Sequence, residues 1–218
     1  SAVEMRGVSV TSNGTMNVLS DGNINIQEAR YKEQLSSASK AKSRGLISST
    51  TEVYRHKHNY DTAEASNLDA DKINLHSNNG NITIQGSNVV GENGLTVQAK
   101  NIDIKEAENK VYSDDFHSKK KSGVLGGGGL GVTFGAQKQT LESDKTKFYA
   151  QGSQVGSLNG NTTLIAKNHY TQTASQVSAV NGDVNILAKK VDIKAADDKY
   201  ETNTKQTFEQ KGVTLAVT

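Results

Sequence analysis

Asp21-Gly22-Asn23-Ile24-Asn25-Ile26 sets a pattern that returns as Asn79-Gly80-Asn81-Ile82-Thr83-Ile84, Asn93-Gly94-Leu95-Thr96-Val97, Asn159-Gly160-Asn161-Thr162-Thr163-Leu164 and Asn181-Gly182-Asp183-Val184-Asn185-Ile186. Each copy opens on a residue pair that tolerates positive φ, then sets apolar residues at alternate positions. That combination predicts a short strand leaving a tight turn. Its return at near-constant spacing predicts stacked coils, not a globule around one closed core.

A second marker runs through Ala65-Ser66-Asn67-Leu68, Gly86-Ser87-Asn88-Val89, Gly152-Ser153-Gln154-Val155 and Ala174-Ser175-Gln176-Val177. Ser66 and Ser87 are 21 residues apart, and Ser153 and Ser175 are 22 apart. One coil therefore takes about 21–22 residues and holds three short strands, as in Ser175-Gln176-Val177, Val184-Asn185-Ile186 and Val191-Asp192-Ile193. Alternate residues face the interior. The small-Ser step suits a tight corner, and the amide after it is expected to stack from coil to coil as an internal ladder. The expected fold is all-β: a right-handed parallel β-helix bearing long protruding β-hairpins.

A larger repeat lies over the coils. Ile24-Asn25-Ile26-Gln27-Glu28-Ala29, Ile102-Asp103-Ile104-Lys105-Glu106-Ala107 and Val191-Asp192-Ile193-Lys194-Ala195-Ala196 each lead into a charged stretch outside the coil pattern. Those stretches run on to Arg44-Gly45-Leu46, Lys121-Ser122-Gly123-Val124 and Lys211-Gly212-Val213. The reading is one β-solenoid fragment over 1–218, with coils at about 1–27, 65–105 and 152–194 and excursions at about 28–64, 106–151 and 195–218. The last excursion is cut short, and the whole reads as a middle portion of something longer. Excursion 106–151 is expected to be an antiparallel hairpin turning near Gly126–Gly129. For 28–64 a hairpin competes with a short helix over Ala29–Lys42, whose residues also suit a helix.

Composition agrees with a narrow coil. Apolar residues make up 33% and aromatics 5%, with no Trp, which alone would also fit a disordered chain. Disordered tracts have no reason to space Ile, Val and Leu in twos. There is no Cys, which excludes disulfides and thiolate metal sites, and no Pro, which suits unbroken ladders. The 25 basic and 23 acidic residues leave a net charge of +2, no strong electrostatic case for nucleic acid or an anionic membrane. No apolar run approaches a spanning helix, and Ser1-Ala2-Val3-Glu4 does not read as a signal peptide.

Little in the sequence points to catalysis. Gly126–Gly131 lacks the Gly-Lys-Ser/Thr continuation of a phosphate loop and reads as a turn. His56 and His58 share one face of a strand, a two-ligand start for Zn or Ni, but no third ligand stands nearby in sequence. Asp114-Asp115 and Asp197-Asp198 place adjacent carboxylates on opposite strand faces, against a shared Ca²⁺ site. No Ser-His-Asp or Cys-His arrangement stands out, so no catalytic residue, metal or cofactor is expected. The candidate membrane or partner contact is Lys119, Lys120, Lys121, Val124, Leu125, Leu130, Val132 and Phe134, where basic residues adjoin a Gly/aliphatic/aromatic alternation. Three lysines there also suit a strand edge kept from aggregating.

Together with the coil pattern, the string Lys119-Lys120-Lys121-Ser122-Gly123-Val124 … Gly131-Val132-Thr133-Phe134-Gly135-Ala136-Gln137-Lys138 resembles the haemagglutinin repeats of filamentous-haemagglutinin-like exoproteins. It is most similar to the downstream repeats of contact-dependent growth inhibition effectors of the CdiA type. The first excursion departs from the pattern, since Arg44-Gly45-Leu46-Ile47-Ser48-Ser49 has no glycine run. The resemblance implies a non-catalytic, monomeric segment of an exoprotein of a Gram-negative bacterium, secreted or held at the cell surface. It further implies export through an outer-membrane two-partner secretion transporter, and a part in carrying a C-terminal toxin across a neighbour's outer membrane, with that membrane or a surface receptor as the target-cell partner. The alternatives are an adhesin stalk binding surface glycans and, more remotely, a polysaccharide-degrading β-helix enzyme.

Overall fold

The computed structural model describes residues 1–125 and 131–216, all-β with no helix among them. The expected Gly126–Gly129 turn lies outside the described residues. Twelve strands form one sheet: β1 (Val3–Arg6), β2 (Ser9–Ser20), β3 (Ile24–Gln27), β6 (Asn67–Ser77), β7 (Ile82–Gln85), β8 (Asn88–Gly91), β9 (Leu95–Lys105), β12 (Gln154–Ser157), β13 (Thr162–Thr173), β14 (Gln176–Ala179), β15 (Val184–Leu187) and β16 (Lys190–Lys194). Between them in sequence come β4 (Ala29–Arg44), β5 (Ser48–Glu64), β10 (Ala107–Val124), β11 (Gly131–Gln151) and β17 (Lys199–Ala216), which form a second sheet. The chain divides into two compact units, Ser1–Tyr31 with Asp61–Asn109 and Phe148–Asp198, and Lys32–Tyr60 with Lys110–Lys147 and Lys199–Thr218.

In the first unit every described pairing is parallel, and the registers sort the strands into three columns. One column aligns Asn67 with Asn88, Asn88 with Gln154, and Gln154 with Gln176. The next aligns Met16, Ile73 and Leu95. The third aligns Ile24, Ile82 and Ile102, with Ile26, Ile84 and Ile104 beside them. These six isoleucines are at most 1% exposed. Each contributes about 1.5–3 kcal/mol by leaving water, and in-register stacking makes every coil the floor of the next. The interior is not only small and β-branched. Tyr170, in register with Ile102, is fully buried and donates its hydroxyl to Gln172 at 2.7 Å.

The corner between the third and first columns is built from serine. The N–H of Val8 donates to the Ser66 hydroxyl at 3.1 Å, that of Ser66 to Ser87 at 3.2 Å, that of Ser87 to Ser153 at 3.1 Å, and that of Ser153 to Ser175 at 3.0 Å. The amides that follow form a ladder too, since Asn88 Nδ2 donates to Asn67 Oδ1 at 2.8 Å. That ladder is external, a correction to the internal one expected. Leu68, Val89 and Val155 take the inward positions, and strict alternation turns Asn67 and Gln154 outward. Where no excursion intervenes, the corner takes left-handed backbone: Gly7 has φ +59°, Gly86 +53°, and Ala174 takes the equivalent place at +45°.

The base of the first excursion is pinned within this unit. Arg30 pairs with Asp61 at 2.9 Å and donates to the Glu108 carbonyl at 2.7 Å. Asn109, 2% exposed, accepts the Ala63 N–H at 2.6 Å.

Candidate interaction surface on the hairpin sheet

The second sheet has the order β17-β11-β10-β5-β4. Cross-strand contacts show how β5 meets β10: Val124 N–H donates to the Ile47 carbonyl, Ser49 bonds Ser122, Lys119 pairs with Glu52, Tyr54 stacks on His117, and His56 meets Asp115. One index rises as the other falls, so the strands are antiparallel. Thr133 bonding Thr214 at 2.9 Å and Asn203 bonding Asp144 at 3.1 Å give β11 and β17 the same sense. The excursions therefore pair with one another. The helix alternative for Ala29–Lys42 falls away, because β4 spends its backbone bonds on β5 and tertiary pairing outweighs local propensity.

Alternation along these strands separates the faces. One carries a run of rings: Tyr54 on His117 with centroids 4.3 Å apart, His56 edge-on to His58 at 4.1 Å, and His58 on Tyr60 at 5.9 Å. His56 Nδ1 also contacts the Asp115 carboxylate. Among the described residues no three His, Cys, Asp or Glu side chains are grouped to hold a metal ion. The other face has Arg55 over the Phe116 ring at 4.1 Å, beside a groove of about 330 Å³ reached by Lys57, Asp114 and Glu142. Asp114 and Asp115 thus serve opposite faces. Burial, then the charges of Asp114 and Asp144, push the Tyr112 hydroxyl pKa up.

The lysine run divides in the same way. Lys119 is committed to Glu52 at 2.8 Å; that hydrogen bond raises the Lys119 pKa and lowers that of Glu52. Lys121 shares its face, while Lys120 turns to the other. Toward the hairpin-tip end, Thr133 opposes Thr214, so the flanking residues of each strand, Val132 with Leu215 and Phe134 with Val213, meet on the opposite face. Val132 is 40% exposed, Phe134 49%, Val213 66% and Leu215 58%. By alternation from Phe116, Val124 joins this face, with Lys120, Lys138 and Lys211 following behind. The structure thus groups Val124, Val132, Phe134 and Lys120. It turns Lys119, Lys121 and Leu125 away, and Leu130 lies outside the described residues. Val213 and Leu215 were not singled out in the sequence, although Lys211-Gly212-Val213 repeats the basic-Gly-aliphatic step that marks Val124.

Parallel columns built on a 21–22-residue repeat, with excursions that pair into one sheet, define a repeat protein. The family follows from comparison. The hemagglutinin repeat model matches residues 47–212, and the chain belongs to that family, as a repeat region of the CdiA type. It is 30% identical over 162 residues, 72% of its length, to a protein named tRNA nuclease CdiA from Yersinia mollaretii, and equally so to a namesake from Escherichia coli strain STEC_O31. It is 35% identical over 106 residues, 48% of its length, to deoxyribonuclease CdiA of Yersinia pseudotuberculosis. The matches cover 5%, 5% and 10% of those proteins. No solved structure matches the chain. The family is a structural repeat region of large exoproteins, which goes with a secreted or cell-surface location in general terms.

Proposed function

We propose that the chain is a non-catalytic structural segment that helps deliver a C-terminal toxin across the outer membrane of a neighbouring bacterium. In this reading it is one solenoid fragment, a right-handed parallel β-helix, with its excursions as the working parts. Right-handed closure is the sense that twisted parallel strands favour. The parent is exported by a two-partner secretion transporter, and the nuclease activities in its relatives' names belong to a domain outside these repeats.

One observation carries the reading: Val132, Phe134, Val213 and Leu215 lie exposed on one face beside the half-buried Val124, with Lys120, Lys138 and Lys211 behind them. An apolar edge backed by cations suits the boundary between lipid and anionic headgroups. Phe134→Asp with Val213→Asp in the full parent protein is expected to abolish toxin entry while export and attachment to target cells persist, as deleting 106–151 also would. The purified double variant should lose flotation with anionic vesicles while keeping the wild-type β spectrum. Undiminished killing by both variants would defeat the proposal.

A further inference from the structure

A different surface, in the first unit, carries an inference of its own. Lys100, Lys167 and Lys189 occupy the same corner of three successive coils, between the second and third strand columns. Registers fix this: Ala166 aligns with Ala99 and His169 with Asn101, while Ile165 aligns with Leu187 and His169 with Lys190. The three lysines line a groove of about 680 Å³ together with Asn78, Asn79 and Asn168.

Lys167 Nζ donates to the Asn78 carbonyl at 3.2 Å, which lays its side chain along the groove. No carboxylate pairs with Lys100, Lys167 or Lys189 among the described residues. The acids on the strands and turns flanking this corner are engaged or displaced: Asp103 binds Lys105, Asp21 accepts from the Asn78 amide, and Asp192 lies farther along β16. The corner between the first and second columns is mainly acidic, with Asp71, Glu92 and Asp183 against the single Lys72. The fold thus gathers the lysines at one corner more than at the other.

Like charges stacked one coil apart, about 4.8 Å, destabilise a ladder unless something anionic lies between them. We propose that this corner binds a linear polysaccharide bearing phosphate or sulfate groups. The lysines meet successive anionic groups along the stack, and the asparagine amides meet sugar hydroxyls. No Phe or Tyr lines the groove to stack a base, which favours a glycan over single-stranded nucleic acid.

The test measures binding of the whole 218-residue chain to dextran sulfate, to a phosphorylated mannan, to neutral dextran and to single-stranded DNA. Expected is binding to one or both anionic glycans that weakens as salt rises, with the sulfated and phosphorylated arms telling the two chemistries apart. Lys100→Gln, Lys167→Gln and Lys189→Gln together should weaken it roughly tenfold or more. The same change at Lys119, Lys120 and Lys121 should leave it within about twofold, since Lys119 is already paired. The wild-type β spectrum must survive in both triple variants. Equal binding to neutral dextran, tighter binding to DNA, or insensitivity to the corner substitutions would overturn the proposal.

Discussion

The main-chain N–H of Ser153 donates to the hydroxyl of Ser175 at 3.0 Å, and the Ser175 hydroxyl donates in turn to the Thr173 carbonyl at 2.9 Å. Ser87 does the same two steps earlier in the ladder, accepting from Ser66 and donating to the Gln85 carbonyl at 2.8 Å. Each hydroxyl satisfies one donor and one acceptor at a corner where the ladder pauses. Removing it orphans a buried N–H, so Ser87→Ala should destabilise by about 1–3 kcal/mol. Ser36→Ala, on an exposed stretch of β4, should stay within about 0.5 kcal/mol. Urea unfolding of the two variants checks the contrast.

Beside Ser87 and Ser175 the backbone is left-handed, and the residues that supply it differ. A Cβ on Gly86 would stand 2.5 Å from the Ala107 Cβ, so Gly86→Ala adds a clash to a strained φ of +53°. Ala174 carries the strain already, at φ +45°. Ala174→Gly should therefore stabilise by up to about 1 kcal/mol, while Gly86→Ala destabilises. A Gly86→Ala variant as stable as wild type would show that the corner relaxes freely.

One register position samples both ends of burial. Ile104 is fully buried, whereas Ile193, two coils on at the same position, is 58% exposed. Ile104→Ala should cost about 2–5 kcal/mol as a cavity. Ile193→Ala should cost less than about 1 kcal/mol, since most of its side chain already meets water. Thermal midpoints of the pair provide the measurement.

Tyr170 makes alkaline stability testable. Burial raises its hydroxyl pKa above the ordinary value of 10.0. The unfolded chain then releases this proton at lower pH than the folded one. Its stabilising effect is complete below the unfolded pKa and is lost as pH climbs from about 10 through the folded value. Tyr170→Phe should remove that part of the alkaline transition, moving its midpoint up. An unchanged midpoint would mean that other groups set it.

Much of this architecture was legible in Ile24-Asn25-Ile26, Ile82-Thr83-Ile84 and their repeats, because a period of two states directly which side chains leave water. The 21–22-residue step between Ser66 and Ser87, or Ser153 and Ser175, announced the coil in the same way. The site was legible only in part. Lys119, Lys120 and Lys121 are one run in sequence but two faces in space, and Leu125 parts from Val124 for the same reason. Val213 meets Phe134 from 79 positions farther along the chain, too far for any local pattern to join them.

Local chemistry alone therefore determined the strands, their inward residues and the tight corners, since φ tolerance and apolar spacing act over two to six positions. Which excursion pairs with which, and which charges share a corner, was decided only by tertiary structure. Backbone donors and acceptors at a strand edge take any partner in register, so the choice belongs to the lengths of chain between them. Lys100, Lys167 and Lys189 become one surface only because 67 and 22 residues return each to the same corner.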